Sequence, residues 1–112
     1  MLARANRVVK PSDFRATVRR GRRSATPSTL IYRVDRAADE PARFGFIVAK
    51  TVGNAVERNL VRRRMRAVCR SIVDAGGSGA DVVVRALPGS AQRSWASLSA
   101  EMHAILDPAL IR

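Results

Sequence analysis

Gly53-Asn54-Ala55-Val56-Glu57-Arg58-Asn59-Leu60-Val61-Arg62-Arg63-Arg64-Met65-Arg66 decides how this chain folds. The apolar run Phe46-Ile47-Val48-Ala49 ends just before it, so the stretch reads as a strand-to-helix junction. Gly53 lets the chain turn, Asn54 can accept from first-turn amides, and Glu57 three residues on completes a capping-box pattern. The Gly-x4-Gly-Lys-Ser/Thr spacing of a phosphate-binding loop is absent, so the turn needs no ligand to explain it. At about 100° per residue, Val61, Met65, Val68, Cys69 and Ile72 fall within roughly 100° of one another and make a core stripe. Arg58, Asn59, Arg62, Arg63, Arg66 and Arg70 fan over the next ~140° with almost no acid among them, while Arg64 points elsewhere. Solvated helices intersperse acids at i,i+4; here Arg58, Arg62 and Arg66 stack like on like, which costs stability unless an anion lies alongside.

Outward from this segment the pattern predicts a helix over 55–75, stopped by Gly76-Gly77-Ser78-Gly79. The preceding strand covers 44–50, and its continuous apolar run places it centrally in a sheet. A β-rich strand over 29–34 comes before it, and the charged segment 35–42 with Pro41 suits a hairpin loop between the two. A short edge strand over 22–27 is weakly signalled. Pro11-Ser12-Asp13 opens a short helix with Phe14 and Val18 on one face and Gly21 at its end, and residues 1–10 form a basic extended arm. A second buried-type strand over 80–87 closes at Pro88-Gly89. The last helix runs over 90–106, with Trp95, Leu98, Met102, Ile105 and Leu106 on its core face, and ends at Asp107-Pro108. The order αβββαβα gives one α+β domain over 1–112, without internal repeats or a long linker.

Composition narrows the partner. The chain of 112 residues carries 21 Lys+Arg against 9 Asp+Glu, a formal net charge of +12, and every base except Lys10 and Lys50 is arginine. Arginine's planar fork suits phosphate oxygens and base stacking, which favours nucleic acid as the partner. Charge of this size supplies affinity and fast encounter, not sequence specificity. Cys69 is the single cysteine, so no intrachain disulfide forms, and its place beside the core stripe suits a small buried hydrophobe. No secretory signal and no apolar run near the roughly 18 residues of a membrane span are visible, so the expectation is a cytoplasmic protein with no membrane partner.

No catalytic relay can be assembled. His103 stands alone without a cysteine or second histidine to join in metal ligation, and reads as a partly exposed structural residue. Asp13, Asp35, Asp39, Glu40, Asp81 and Glu101 are scattered over different elements without a paired-carboxylate site. Catalytic residues, protein metal ligands and a small-molecule substrate are therefore not expected. If the chain serves a nuclease, the chemistry lies in its partner.

Phe44-Gly45-Phe46-Ile47-Val48-Ala49-Lys50, Val52-Gly53-Asn54-Ala55-Val56, Arg58-Asn59, Arg62-Arg63 and Arg66 resemble the signature of the bacterial ribonuclease P protein component. Asp13-Phe14, Gly21, Tyr32 and the order of elements extend the resemblance over nearly the whole chain. It implies a four-stranded sheet packed by helices with a left-handed βαβ crossover, the ribosomal protein S5 domain 2-like fold. It also implies a small basic partner of a catalytic RNA whose holoenzyme removes the 5′ leader of precursor tRNA, with Mg²⁺ bound chiefly by the RNA and substrate. On the matching positions, Arg58, Asn59, Arg62, Arg63 and Arg66 would bind the catalytic RNA, joined by Arg70 on the same face. Phe14, Tyr32 and Lys50 would line the leader cleft. Three positions depart from the pattern: Leu60 stands for an arginine, Val18 for a second cleft aromatic and Thr51 for a second lysine. Leu60 falls about 200° round the wheel from Arg58, off the core arc, and is expected to be partly exposed.

Two other classes fit the basic helix less well. A structural RNA-binding protein of ribosomal type would share it but lack a leader cleft. A major-groove DNA reader would need more base-edge donors and acceptors than Asn59 alone supplies.

Overall fold

The computed structural model describes residues 2–111. Helix α1 (Pro11–Arg20) is followed by strands β1 (Arg22–Ala25), β2 (Thr29–Asp35) and β3 (Arg43–Ile47), helix α2 (Ala55–Asp74), strand β4 (Ala80–Ala86) and helix α3 (Trp95–Leu110). Short 3₁₀ turns at Arg4–Asn6, Lys50–Val52 and Ser90–Gln92 punctuate this αβββαβα order. The strands form one mixed sheet in the order β1-β2-β4-β3: β1 and β4 lie antiparallel to β2, and β3 lies parallel to β4. Thus β3-α2-β4 is a parallel βαβ unit, and the arginine-rich helix α2 is its crossover.

This order corrects two expectations. Residues 35–42 are not a hairpin loop, because β4 lies between β2 and β3. Nor is the 44–50 strand central: β3 is an edge strand, and Val82, Val83 and Val84 of β4, all 0% exposed, hold the middle. The apolarity of β3 has another cause. The amino-terminal arm lies along its outer edge, with Arg7 bridged to Phe44 and the Val8 amide donating to the Phe44 carbonyl at 2.9 Å. Asn6 Nδ2 donates to the Ala42 carbonyl at 2.9 Å, and Leu2 and Val8 are buried, so the arm is docked and covers an edge that would otherwise be open.

Strand alternation divides the core in two. Ile31, Phe44, Val82 and Val84 face Val61, Met65, Val68 and Ile72 of α2 and Leu98, Met102, Leu106 and Leu110 of α3. The opposite face presents Tyr32, Val83 and Gly45, covered by α1 and by Val8 of the arm. Cys69 is fully buried within the α2–α3 core, as its wheel position suggests.

The last helix differs at both ends from the expected 90–106. Gly89, at φ 94°, turns the chain into the 3₁₀ segment, and Ser94 then caps α3 by accepting from the Ser97 amide at 3.1 Å. Trp95 is therefore the first helical residue, and it is 46% exposed, not core as its spacing indicated. Ser90 and Ala91 pack at that end in its place. At the other end α3 runs through Pro108, although an interior proline costs on the order of 3 kcal/mol. Burial of Leu106 and Leu110, together with the Ser78 amide bonded to the Leu110 carbonyl, offsets that cost.

Candidate nucleic-acid interface

α2 begins as its sequence dictates. Asn54 Oδ1 accepts from the Glu57 amide at 2.9 Å, and Glu57 Oε1 accepts from the Asn54 amide at 3.0 Å. Glu57 Oε2 also accepts from Gln92 Nε2 at 2.9 Å, which ties the helix start to the turn before α3. With the core stripe seated, the opposite side of α2 is left to solvent. Arg63, Arg66 and Arg70 are exposed, and Arg58 and Arg62 are half-buried. Asn59, also exposed, accepts from Arg62 Nη1 at 3.2 Å through Oδ1, which holds the Arg62 fork above the helix surface. Arg70 pairs with Asp74 at 3.6 Å. Arg64 leaves the fan as its angle requires: its Nη1 donates to the Arg93 carbonyl at 2.9 Å. Leu60 is half-buried.

The acids are committed elsewhere. Asp81 Oδ1 and Oδ2 receive Arg43 Nε and Nη2, each at 2.7 Å, and Asp81 also faces Arg36 at 3.7 Å. Asp13 approaches Arg43 at 3.7 Å, and Glu40 pairs with Arg36. The hydrogen bonds it donates to Asp81 raise the Arg43 pKa above its ordinary value, so this guanidinium stays charged. Glu101 pairs with Arg93, Asp35 with Arg33, and Asp107 with His103. His103 also meets Ser71 at 3.3 Å, which fits the expected structural part for it. Asp13, Glu40 and Asp81, which looked scattered in sequence, are thus gathered around Arg36 and Arg43, away from the α2 fan. Among the described residues no three of His, Cys, Asp and Glu are grouped as metal ligands would be.

A cleft of ≈ 350 Å³ opens between α1 and the sheet, lined by Phe14, Arg15, Val18, Arg19, Ile47 and Arg85. Its floor depends on Gly45: a Cβ there would stand 2.5 Å from Phe14 Cε1, so the bare backbone is what lets the Phe14 ring lie on the sheet. Phe14 and Val18 are both half-buried here. Tyr32 shares this face of the sheet but is 9% exposed, so it supports the floor and presents little ring to a ligand. Lys50 stands exposed in the turn before α2, outside the lining of the cleft. The sequence reading missed Arg15, Arg19 and Arg85. Arg15 and Arg19 share the i,i+4 spacing of Phe14 and Val18 one residue on, and Arg85 is the lone base of an otherwise largely apolar strand, so a signal was present for each.

Cleft and helix face are continuous. Phe14 also lines a groove with Arg7, Val8, Phe46, Arg62 and Arg66, and Arg62 and Arg66 line the next depression with Asn59 and Arg63. A strand of polyanion can pass from α1 around the β3 edge to α2 beside arginine along its whole course.

Comparison with known proteins agrees. The family model described as Ribonuclease P matches residues 2–110. The ribonuclease P protein component of Clavibacter michiganensis subsp. michiganensis is 44% identical over 110 residues, spanning 98% of this chain and 97% of the relative. That of an Arthrobacter species is 47% identical over 112 residues, spanning 100% of this chain and 82% of the relative. Among solved structures, the ribonuclease P protein of Staphylococcus aureus superposes with a TM-score of 0.82 at 24% identity, covering 95% of this chain and 96% of that one. The Thermotoga maritima protein superposes at 0.79 with 19% identity, covering 91% and 96%. The last two likenesses carry the fold; the family model and the curated relatives carry the family. The chain belongs to the ribonuclease P family, as a protein component of that tRNA-processing ribonucleoprotein.

Proposed function

We propose that the α2 face of Arg58, Asn59, Arg62, Arg63, Arg66 and Arg70 binds the catalytic RNA, and that the α1 cleft receives the single-stranded 5′ leader of precursor tRNA. The observation that carries this reading is the i,i+4 column Arg58-Arg62-Arg66 beside depressions that run on to Phe14. Such a column is self-repelling in the free protein and becomes favourable once phosphates lie along it. In the cleft, Phe14 offers a ring to a leader base, while Arg15, Arg19 and Arg85 offer charge to its backbone. Tyr32 braces the Phe14 side of the sheet, and Lys50 meets the leader where it leaves the cleft toward α2. With Val18 in place of a second aromatic, leader binding here leans on arginine more than on stacking.

The cleavage chemistry belongs to the RNA. Asp13, Glu40 and Asp81 are held by Arg36 and Arg43 rather than left open to an ion. In this proposal Mg²⁺ is bound by the RNA and substrate, where metal ions support phosphodiester hydrolysis. The protein screens repulsion between two polyanions and holds the leader. A cytoplasmic location accords with this partnership.

Reconstitution tests the reading. Mixed with a ribonuclease P RNA, the chain is expected to stimulate 5′-leader removal strongly at low Mg²⁺ and weakly at high Mg²⁺, where the ion takes over screening. No stimulation at low Mg²⁺, with co-sedimentation on ribosomes, would establish the ribosomal-type alternative instead.

A further inference from the structure

We propose that Trp95 is a stacking platform for an unpaired base of the catalytic RNA, next to the arginine face and separate from the leader cleft. Trp95 is the only tryptophan of the chain and is 46% exposed at the first position of α3. Aromatic rings of this size are ordinarily well covered, and an uncovered one beside strong positive charge is the arrangement that nucleobases use.

Two tethers hold the start of α3 against α2. Gln92 Nε2 reaches Glu57 Oε2, and Arg64 Nη1 reaches the Arg93 carbonyl, both at 2.9 Å. Leu60 lies on α2 between the two anchoring residues, and Val56, 78% exposed, lies one turn before it. Val56 and Leu60 follow Arg63 around the helix, so an apolar strip borders the arginine fan on the side that carries Arg64, the residue tied to Arg93 two positions before Trp95. Leu60 is also the position where arginine would match the family motif. The substitution of an apolar side chain for a phosphate ligand is coherent if this side of the protein meets a base rather than a backbone.

Charge selects the occupant. Arg63 and Arg64 flank the strip, and the acids Glu57 and Glu101 are engaged by Gln92 and Arg93. An apolar protein partner would leave Arg63 and the adjoining fan unmatched, whereas RNA satisfies ring and charge together. The inference rests on the catalytic-RNA reading above.

The sole tryptophan makes its own probe. Titrating the wild-type protein with catalytic RNA is expected to quench Trp95 emission and to shield it from acrylamide. Trp95→Ala is expected to weaken RNA binding roughly 5- to 150-fold, the range for one stacked base, while leaving the slope of log affinity against log salt unchanged. Trp95→Phe, which keeps a ring, is expected to recover part of the loss. Circular dichroism melting of each variant separates lost binding from lost folding, and the acrylamide measurement needs no variant. Normal RNA binding with unshielded, unquenched Trp95 would overturn the stacking platform and leave the arginine face standing. Quenching that follows protein concentration without RNA would assign the ring to a contact between copies and overturn it equally. Failure of the wild-type chain to bind the RNA at all would overturn both readings.

Discussion

At the residue scale, Gly45 and Phe14 form a single device. Phe14 occupies the space a side chain at 45 would need, with its ring carbons 2.5 and 2.6 Å from the ideal Cβ position. In Gly45→Ala the ring must leave the sheet, which disturbs the cleft while the β3–β4 ladder stays intact. The expected outcome is weaker binding of leader-bearing precursor with unchanged binding of mature tRNA, measured with the reconstituted holoenzyme. Phe14→Ala should show the same selectivity, since stacking contributes about 1–3 kcal/mol per base. Equal losses for precursor and mature tRNA in both variants would remove Phe14 from the leader site. The fan and the cleft were unequally legible at this scale. Arg58, Arg62 and Arg66 share one helix, so their grouping follows from 3.6-residue periodicity alone. The cleft draws Phe14 and Arg19 from α1, Ile47 from β3 and Arg85 from β4, and no local pattern joins those elements.

At the scale of elements, α2 was readable because its signals are local: a capping pair, an apolar stripe and a glycine run. Asn54→Ala removes the acceptor for the Glu57 amide and should lower stability by about 0.5–2 kcal/mol, seen as a lower melting temperature. Arg62→Ala tests the other side of the helix. It should reduce the log–log salt slope of catalytic-RNA binding by roughly one unit while leaving the melt nearly unchanged. An unchanged slope would take Arg62 out of the interface. Strand order was not readable in the same way. The apolar runs 46–49 and 82–84 look equally central, and only the docked arm, through Val8 and Asn6, explains why an edge strand can be so apolar. The start of α3 was misplaced for a related reason. Helical spacing begins at Trp95, but Ser94 caps the helix at that point and leaves the ring on an unburied first turn.

At the scale of the molecule, a small domain with net charge +12 engages Asp81 with Arg43 and Glu101 with Arg93 and leaves one continuous basic path outside. The folded state carries that repulsion, so a polyanion that binds only the fold should stabilise it by linkage, about 2.7 kcal/mol at a hundredfold excess over the dissociation constant. Cys69 reports the effect directly. It is 0% exposed between α2 and the rest of the core, and burial pushes its thiol well above its ordinary pKa. Alkylation needs a thiolate in contact with solvent, so the native chain should resist iodoacetamide and react only through opening of the α2–α3 core. Where opening and closing are fast relative to alkylation, the labelling rate follows the open population. Catalytic RNA at a hundredfold excess should then slow Cys69 labelling about a hundredfold, and raised salt should abolish the protection as the phosphate contacts weaken. A rate indifferent to RNA, at concentrations where cleavage is stimulated, would mean that the RNA binds without coupling to the core beneath the arginine face.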